Sequence, residues 1–127
     1  MRDIEWLRTV DVLGAHTKVI EFSGGADGVR DIGLLESALA RPQNIAAYED
    51  DVSLPRLAAA YGFGIATNHP FVDGNKRTAF VAIELFLDLH GVRAAATEDE
   101  KYEMMIRLAS SAMAEHELAE WLAARCP

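Results

Sequence analysis

An all-α bundle of about six helices is the fold this sequence predicts, and three observations predict it. Apolar residues recur at three- and four-residue steps along nearly the whole chain, the spacing of a single helix face. Turn residues, chiefly Gly, Pro, Asn and Asp, cut that pattern into segments of helical length. No set of alternating apolar and polar runs is large enough to build a sheet. The chain has 127 residues, no repeats and no low-complexity linker, so residues 1–127 are expected to form one domain.

Each element has its own signals. The first helix is expected over about Glu5 to Phe22, with Trp6, Val10, Leu13, Thr17 and Ile20 as its apolar stripe. Ser23-Gly24-Gly25 ends it, because these residues tolerate positive φ. After the turn-rich Ala26-Asp27-Gly28, Asp31 caps a short helix through Leu34, Leu35 and Leu39 that Pro42 terminates. Residues 42–52 read as irregular and close on the acidic Glu49-Asp50-Asp51. Ser53 caps the next helix, Leu54 to about Asn68, with Pro55 tolerated in its first turn. Gly62-Phe63-Gly64 within it begins like a dinucleotide loop, but a third Gly and a preceding strand are missing, so close helix packing explains the pair. Following a polar loop at 69–75, residues 76–90 make a helix apolar on almost every side, interrupted by Glu84 and Asp88. Such a helix belongs at the centre of the bundle, with Gly91 just beyond its end. Val92-Arg93-Ala94 is a short extended link. Thr97 and Glu100 then form a capping box for a helix through Met104, Met105, Leu108 and Met113. A last helix, about Glu117 to Ala124, carries Leu118, Trp121 and Leu122.

Charge and composition exclude several function classes. Twelve Lys and Arg against twenty Asp and Glu give a net charge of −8, and residues 1–64 and 65–127 each carry 6 basic and 10 acidic groups. A surface that coats DNA or RNA needs a basic footprint, so no direct nucleic-acid contact is expected and any anion site must be a local exception. Cys126 has no second cysteine to pair with. The N-terminal residues lack the basic-then-apolar pattern of a signal peptide, and the central apolar run Ala79 to Ile83 stops at Glu84, far short of a membrane span. A soluble, cytoplasmic protein without a membrane partner is expected.

The segment His69-Pro70-Phe71-Val72-Asp73-Gly74-Asn75-Lys76-Arg77 joins two apolar helices, yet it holds a base, a carboxylate, a glycine, an amide and two cations. Pro70 biases His69 out of the right-handed helical region, ending the preceding helix and projecting the imidazole. Phe71 can anchor the loop in the core, and Gly74 lets the backbone approach an anion or adopt positive φ. Asn75, Lys76 and Arg77 open the next helix, whose free N–H groups and dipole favour negative charge. Two cations there are misplaced unless an anion neutralises them, which is the strongest argument for a bound phosphate. Asp73 is a natural ligand for Mg²⁺, which takes one or two carboxylates plus phosphate oxygens. The spacing is not that of a P-loop.

This nine-residue segment resembles the signature of Fic-domain proteins, particularly the Doc (death-on-curing) toxin branch. Two further blocks carry the likeness over almost the whole chain. One is Gly24-Gly25 with Gly28-Val29-Arg30-Asp31-Ile32-Gly33-Leu34-Leu35-Glu36-Ser37-Ala38-Leu39-Ala40-Arg41-Pro42, and the other is Phe86-Leu87-Asp88-Leu89-His90-Gly91. The resemblance implies a compact Fic-type helical bundle that binds ATP with Mg²⁺. It implies His69 as general base on an acceptor hydroxyl, Asp73 as the metal ligand, and Asn75, Lys76 and Arg77, with Gly74 before them, as the phosphate cradle.

Which group is transferred turns on two positions. Adenylyl-transferring relatives resemble H-x-F-x-[DE]-G-N-G-R-x-x-R, whereas this chain has Lys76 in place of the Gly and Phe80 in place of the final Arg. Both departures resemble the Doc branch, which implies phosphoryl transfer to a Ser or Thr hydroxyl of a target resembling elongation factor Tu, with translation arrested. AMP transfer is the alternative, and a catalytically degenerate binding module the second alternative. Many Fic proteins carry an inhibitory helix resembling [ST]-x-x-x-E-[GN]. The nearest segments here, Thr17 to Phe22 and Ser111 to His116, do not end in Gly or Asn. Inhibition in trans by a Phd-like antitoxin is therefore implied. Residues 41–52 could serve as a target-docking flap or as an ordinary loop. His16, His90 and His116 are scattered; His90 sits at a helix end, where a cation suits the dipole.

Overall fold

The computed structural model describes residues 3–127 and contains six α-helices. They are α1 (Thr9–Ser23), α2 (Ile32–Tyr48), α3 (Leu54–Asn68), α4 (Asn75–Leu89), α5 (Glu98–Ala109) and α6 (Glu115–Ala123). The all-α reading holds; among the described residues the only extended pairing is an isolated antiparallel bridge between Val29 and Phe71.

Three caps fall where the sequence places them. Asp31 accepts from the Leu34 N–H at 3.0 Å, Ser53 from the Arg56 N–H at 3.2 Å, and Thr97 from the Glu100 N–H at 3.1 Å. Each satisfies one of the donors that a helix start leaves open. The centre of the bundle is the α3–α4 pair. Helix α4 packs centrally, with seven of its fifteen residues buried, and α3 is more enclosed still, with ten of fifteen. Two glycines permit this closeness. A Cβ on Gly62 would lie 2.4 Å from Ile83 Cδ1 of α4, and one on Gly64 would lie 3.2 Å from Ala38 Cβ of α2. Close packing, not nucleotide binding, accounts for both.

Four expectations are corrected. Helix α1 begins at Thr9 rather than near Glu5, because the preceding N–H groups bond elsewhere: Glu5 to His90 Nε2 at 3.0 Å and Leu7 to the Tyr61 hydroxyl at 3.0 Å. Arg8 is the N-cap, and its N–H donates to Asp11, holding that carboxyl below its ordinary range. The buried face of α1 is Val12, Ala15, His16 and Val19, about one position out of phase with the expected stripe; Val10 is 59% exposed. Helix α2 runs through Pro42 to Tyr48, so residues 42–48 are helical and no loop spans 41–52. The proline forfeits one backbone bond, but its ring is buried together with Leu35, Ala38 and Leu39, and tertiary packing overrides the local rule. Helix α5 stops at Ala109, and Met113 lies in the following turn, buried all the same.

From the middle of α2, Arg41 pairs with Glu115 of α6, which also takes Arg56 Nη1 at 2.8 Å; Arg56 in turn holds Glu49 at 2.9 Å. This network spans α2, α3 and the start of α6. No helix among the described residues is long and apolar enough to cross a membrane.

Candidate active site

The site is built around the α3–α4 connection. Helix α3 ends at His69, whose φ of 50° and ψ of 56° put it in the left-handed region, outside the right-handed helix as Pro70 requires. Phe71 turns fully into the core, as expected. The loop then reaches Gly74, the N-cap of α4, at φ 76°. The glycine is needed for that backbone and for space, since a Cβ there would meet Ile20 Cδ1 at 3.2 Å and Val19 Cγ1 at 3.3 Å.

Asn75 closes the loop on itself. Its Oδ1 accepts the Phe71 N–H and its Nδ2 donates to the Phe71 carbonyl, both at 2.9 Å. Each of these amide atoms keeps one further donor or lone pair, and the Asn75 backbone N–H is open as well. The first backbone bond of α4 runs from Thr78 N–H to the Gly74 carbonyl at 2.9 Å. The N–H groups of Asn75, Lys76 and Arg77 are therefore the open donors of this helix start. Lys76 and Arg77 are exposed and form no ion pair among the described residues.

Asp73 is exposed, its Oδ1 accepting the Gly74 N–H at 2.8 Å and its Oδ2 the Ala26 N–H at 3.4 Å. The Gly24-Gly25 turn presses against it, so that a Cβ on Gly25, at φ 105°, would lie 2.7 Å from Oδ2. Each carboxylate oxygen carries one donor and keeps a lone pair for a further ligand. No group of three His, Cys, Asp or Glu among the described residues could hold a metal unaided. A cation at Asp73 needs oxygens from a ligand to complete its shell, which is how Mg²⁺ binds with phosphates.

His69, Asp73, Gly74, Asn75, Lys76 and Arg77 thus line one cleft of about 440 Å³, together with Gly24, Gly25 and Ala109. The structure brings together every residue the motif nominated. A larger groove of about 1060 Å³ lies between α1, α4 and α5; it shares Arg77 with the cleft and is lined by Phe22, Phe80 and Leu89 among others. The motif chemistry sits in the smaller one.

Two residues outside the motif hold it in place and went unread in the sequence. His16 is buried under the loop, its ring parallel to that of Phe71 at 5° and 3.8 Å. Its Nε2 donates to the Asp73 carbonyl at 2.8 Å; a carbonyl only accepts, so that nitrogen carries the proton. Asp27 lies 3.8 Å from the other ring nitrogen. Arg30 donates to the Asn68 carbonyl at 2.9 Å and the His69 carbonyl at 2.7 Å, and its backbone N–H reaches the Pro70 carbonyl at 2.7 Å. A polar residue within a buried helix stripe was the available signal for His16. For Arg30 it was membership of the Gly28–Pro42 block. His90 sits at the end of α4 as expected, where Nδ1 bonds the Phe86 carbonyl at 2.9 Å and Nε2 accepts the Glu5 N–H at 3.0 Å, stapling the N-terminal segment.

A helical bundle with this cleft between α3 and α4 defines a class. Residues 6–87 match the Fic/DOC family, and the chain belongs to it, in the Doc branch. Among individual relatives, it is 49% identical over 98 residues to "Toxin Doc" of Mycolicibacterium smegmatis, covering 75% of this chain and 72% of that protein. It is 36% identical over 83 residues to "Protein kinase doc" of Escherichia phage P1, covering 65% of this chain and 66% of that one.

Proposed function

We propose that this protein is the toxin of a type II toxin–antitoxin pair, using ATP and Mg²⁺ to phosphorylate a Ser or Thr hydroxyl of a cytoplasmic protein target. The observation that carries the reading is the convergence on one cleft of an imidazole, a carboxylate and an open helix start with two unpaired cations. The relatives support it, one being named a toxin and another a protein kinase. When bound, the Mg²⁺ nucleotide supplies the phosphoryl group and neutralises its charge. Asp73 holds the metal. The N–H groups of Asn75, Lys76 and Arg77, with the two side-chain cations, hold phosphate oxygens, and Gly74 keeps the approach clear. His69 would take the proton from the acceptor hydroxyl as its oxygen bonds the γ-phosphorus and the bond from that phosphorus to the bridging oxygen breaks, releasing ADP.

The Doc-branch likeness makes elongation factor Tu the first target to test, with arrest of translation as the outcome. AMP transfer is the second reading. Phe80, where adenylylating relatives have Arg, is 4% exposed and packs in the core, so no cation stands at that position for a terminal phosphate. Glu115, the glutamate of one segment resembling an inhibitory helix, is occupied by Arg41 and by Arg56, which lies in the first turn of α3, at the opposite end from His69. In this reading control comes from a Phd-like antitoxin, and the apolar groove beside Arg77 suits an amphipathic segment that folds on binding.

The deciding experiment incubates the protein with bacterial lysate and ATP labelled at the α- or the γ-phosphate, beside His69→Ala. Label entering protein only from the γ position, and lost in the variant, is expected. Transfer from the α position replaces the kinase reading with adenylylation, and transfer from neither favours a binding module.

A further inference from the structure

We infer that Arg30 is the positioning residue for His69, an inference that rests on the reading of His69 as the base. Three consecutive carbonyls, of Asn68, His69 and Pro70, accept hydrogen bonds from this one residue, two from the guanidinium and one from the backbone N–H. The carbonyls of Asn68 and His69 belong to the two peptide planes that flank the His69 Cα. Pinning both planes sets φ and ψ of His69, and hence the direction in which its imidazole leaves the chain.

The conformation needs such support. His69 is a non-glycine residue in the left-handed region, which L-residues occupy only when surroundings enforce it. The α3 terminus supplies open carbonyls and a partial negative charge, both suited to a guanidinium. Arg30 is exposed and forms no ion pair among the described residues, so its fork is spent on these carbonyls alone. Its own segment is anchored independently: Val72 N–H donates to the Gly28 carbonyl at 3.0 Å and Asp31 N–H to Pro70 at 3.0 Å. Removing the guanidinium therefore frees the His69–Pro70 plane and takes one of two bonds from the Asn68–His69 plane, whose N–H keeps the Ile65 carbonyl at 3.2 Å, without detaching the segment.

The test uses the full chain, read by γ-label transfer from ATP into lysate protein and by amide NMR of the nucleotide-free protein. Arg30→Ala is expected to lower the rate at saturating ATP by about ten- to a hundredfold, with the half-saturating ATP concentration changed less than about twofold. The His69 amide signal should shift or broaden while that of Tyr61 stays in place. Added guanidinium ion should restore part of the rate to Arg30→Ala and none to His69→Ala. A wild-type maximal rate, a loss confined to half-saturating ATP, or an unmoved His69 amide overturns the inference. Should Arg30→Ala fail to fold, Arg30→Lys decides, since it keeps the charge without the fork; a wild-type maximal rate there overturns it as well. Full transfer by His69→Ala would instead overturn the reading of His69 as base, and the His69 amide in Arg30→Ala would then judge the positioning alone.

Discussion

His16 shows how a single buried polar group governs the chemistry of its neighbour. Its ring is enclosed by Phe71 and the Gly74 backbone, and its one strong bond goes to the Asp73 carbonyl. His16→Leu fills similar space but removes the donor, leaving that carbonyl short of a partner. A loss of about 1–3 kcal/mol in urea unfolding is expected. Because the same bond orients the residue proposed to hold Mg²⁺, the Mg²⁺ needed for half-maximal label transfer should rise about tenfold. An unchanged Mg²⁺ requirement would reduce His16 to a core residue. The contrast with the motif explains what could be read in advance. Residues 69–77 disclose their chemistry because it is contiguous. His16 and Arg30 act on carbonyls 57 and 39 positions away, a relation that no local spacing encodes. In α1 the buried stripe, Val12, Ala15, His16 and Val19, runs beside the expected one and includes the histidine, so apolar spacing alone does not single it out.

At the level of elements, local signals worked wherever a side chain answers its own backbone. Asp31, Ser53 and Thr97 cap helices a few residues on, and all three were legible. Pro42 failed as a signal because its neighbours on the buried face of α2 decide the outcome. Gly62 shows the same contest in energetic terms. Gly→Ala inside a helix ordinarily stabilises by about 1 kcal/mol. Here the new Cβ would lie 2.4 Å from Ile83 Cδ1 and 2.8 Å from its Cγ1, so a fully buried side chain must be displaced to admit it. Gly62→Ala is therefore expected to destabilise by about 1–3 kcal/mol despite the propensity gain. In Gly62→Ala/Ile83→Ala the loss should be smaller than the sum of the single variants, because each change relieves the other. Strict additivity in a denaturant-unfolding cycle would show that α3 and α4 are not held at this distance by the glycine.

Over the whole molecule, the acidic average conceals how the cations are distributed. Arg8, Arg41, Arg56, Lys101 and Arg125 are paired with carboxylates; of the described cations without such partners, Lys76 and Arg77 line the cleft, while Lys18, Arg30, Arg93 and Arg107 lie outside its lining. A second cluster, which serves stability, is centred on the middle of α3. There Tyr61 is buried, accepts the Leu7 N–H, and packs on Phe86 at 5.1 Å, which in turn contacts Trp6 and His90. Burial pushes the Tyr61 hydroxyl up to about 12 from 10.0. The unfolded chain therefore releases this proton first as pH rises past about 10, and between the two values the folded state binds more protons. Stability is fully present below pH 10 and falls above it, by on the order of 2 kcal/mol at pH 12. Tyr61→Phe should lose about 1–3 kcal/mol at neutral pH, where the Leu7 N–H goes unpaired. It should also lack this component of the alkaline decline, so the two stability curves converge between pH 10 and 12. Tyr61 lies eight residues before His69, roughly 12 Å along the helix, so label transfer by the folded variant should match the wild type. Parallel curves to pH 12 would remove Tyr61 from the alkaline limb, and a slowed transfer in the folded variant would mean that the N-terminal staple and the cleft are one cooperative unit.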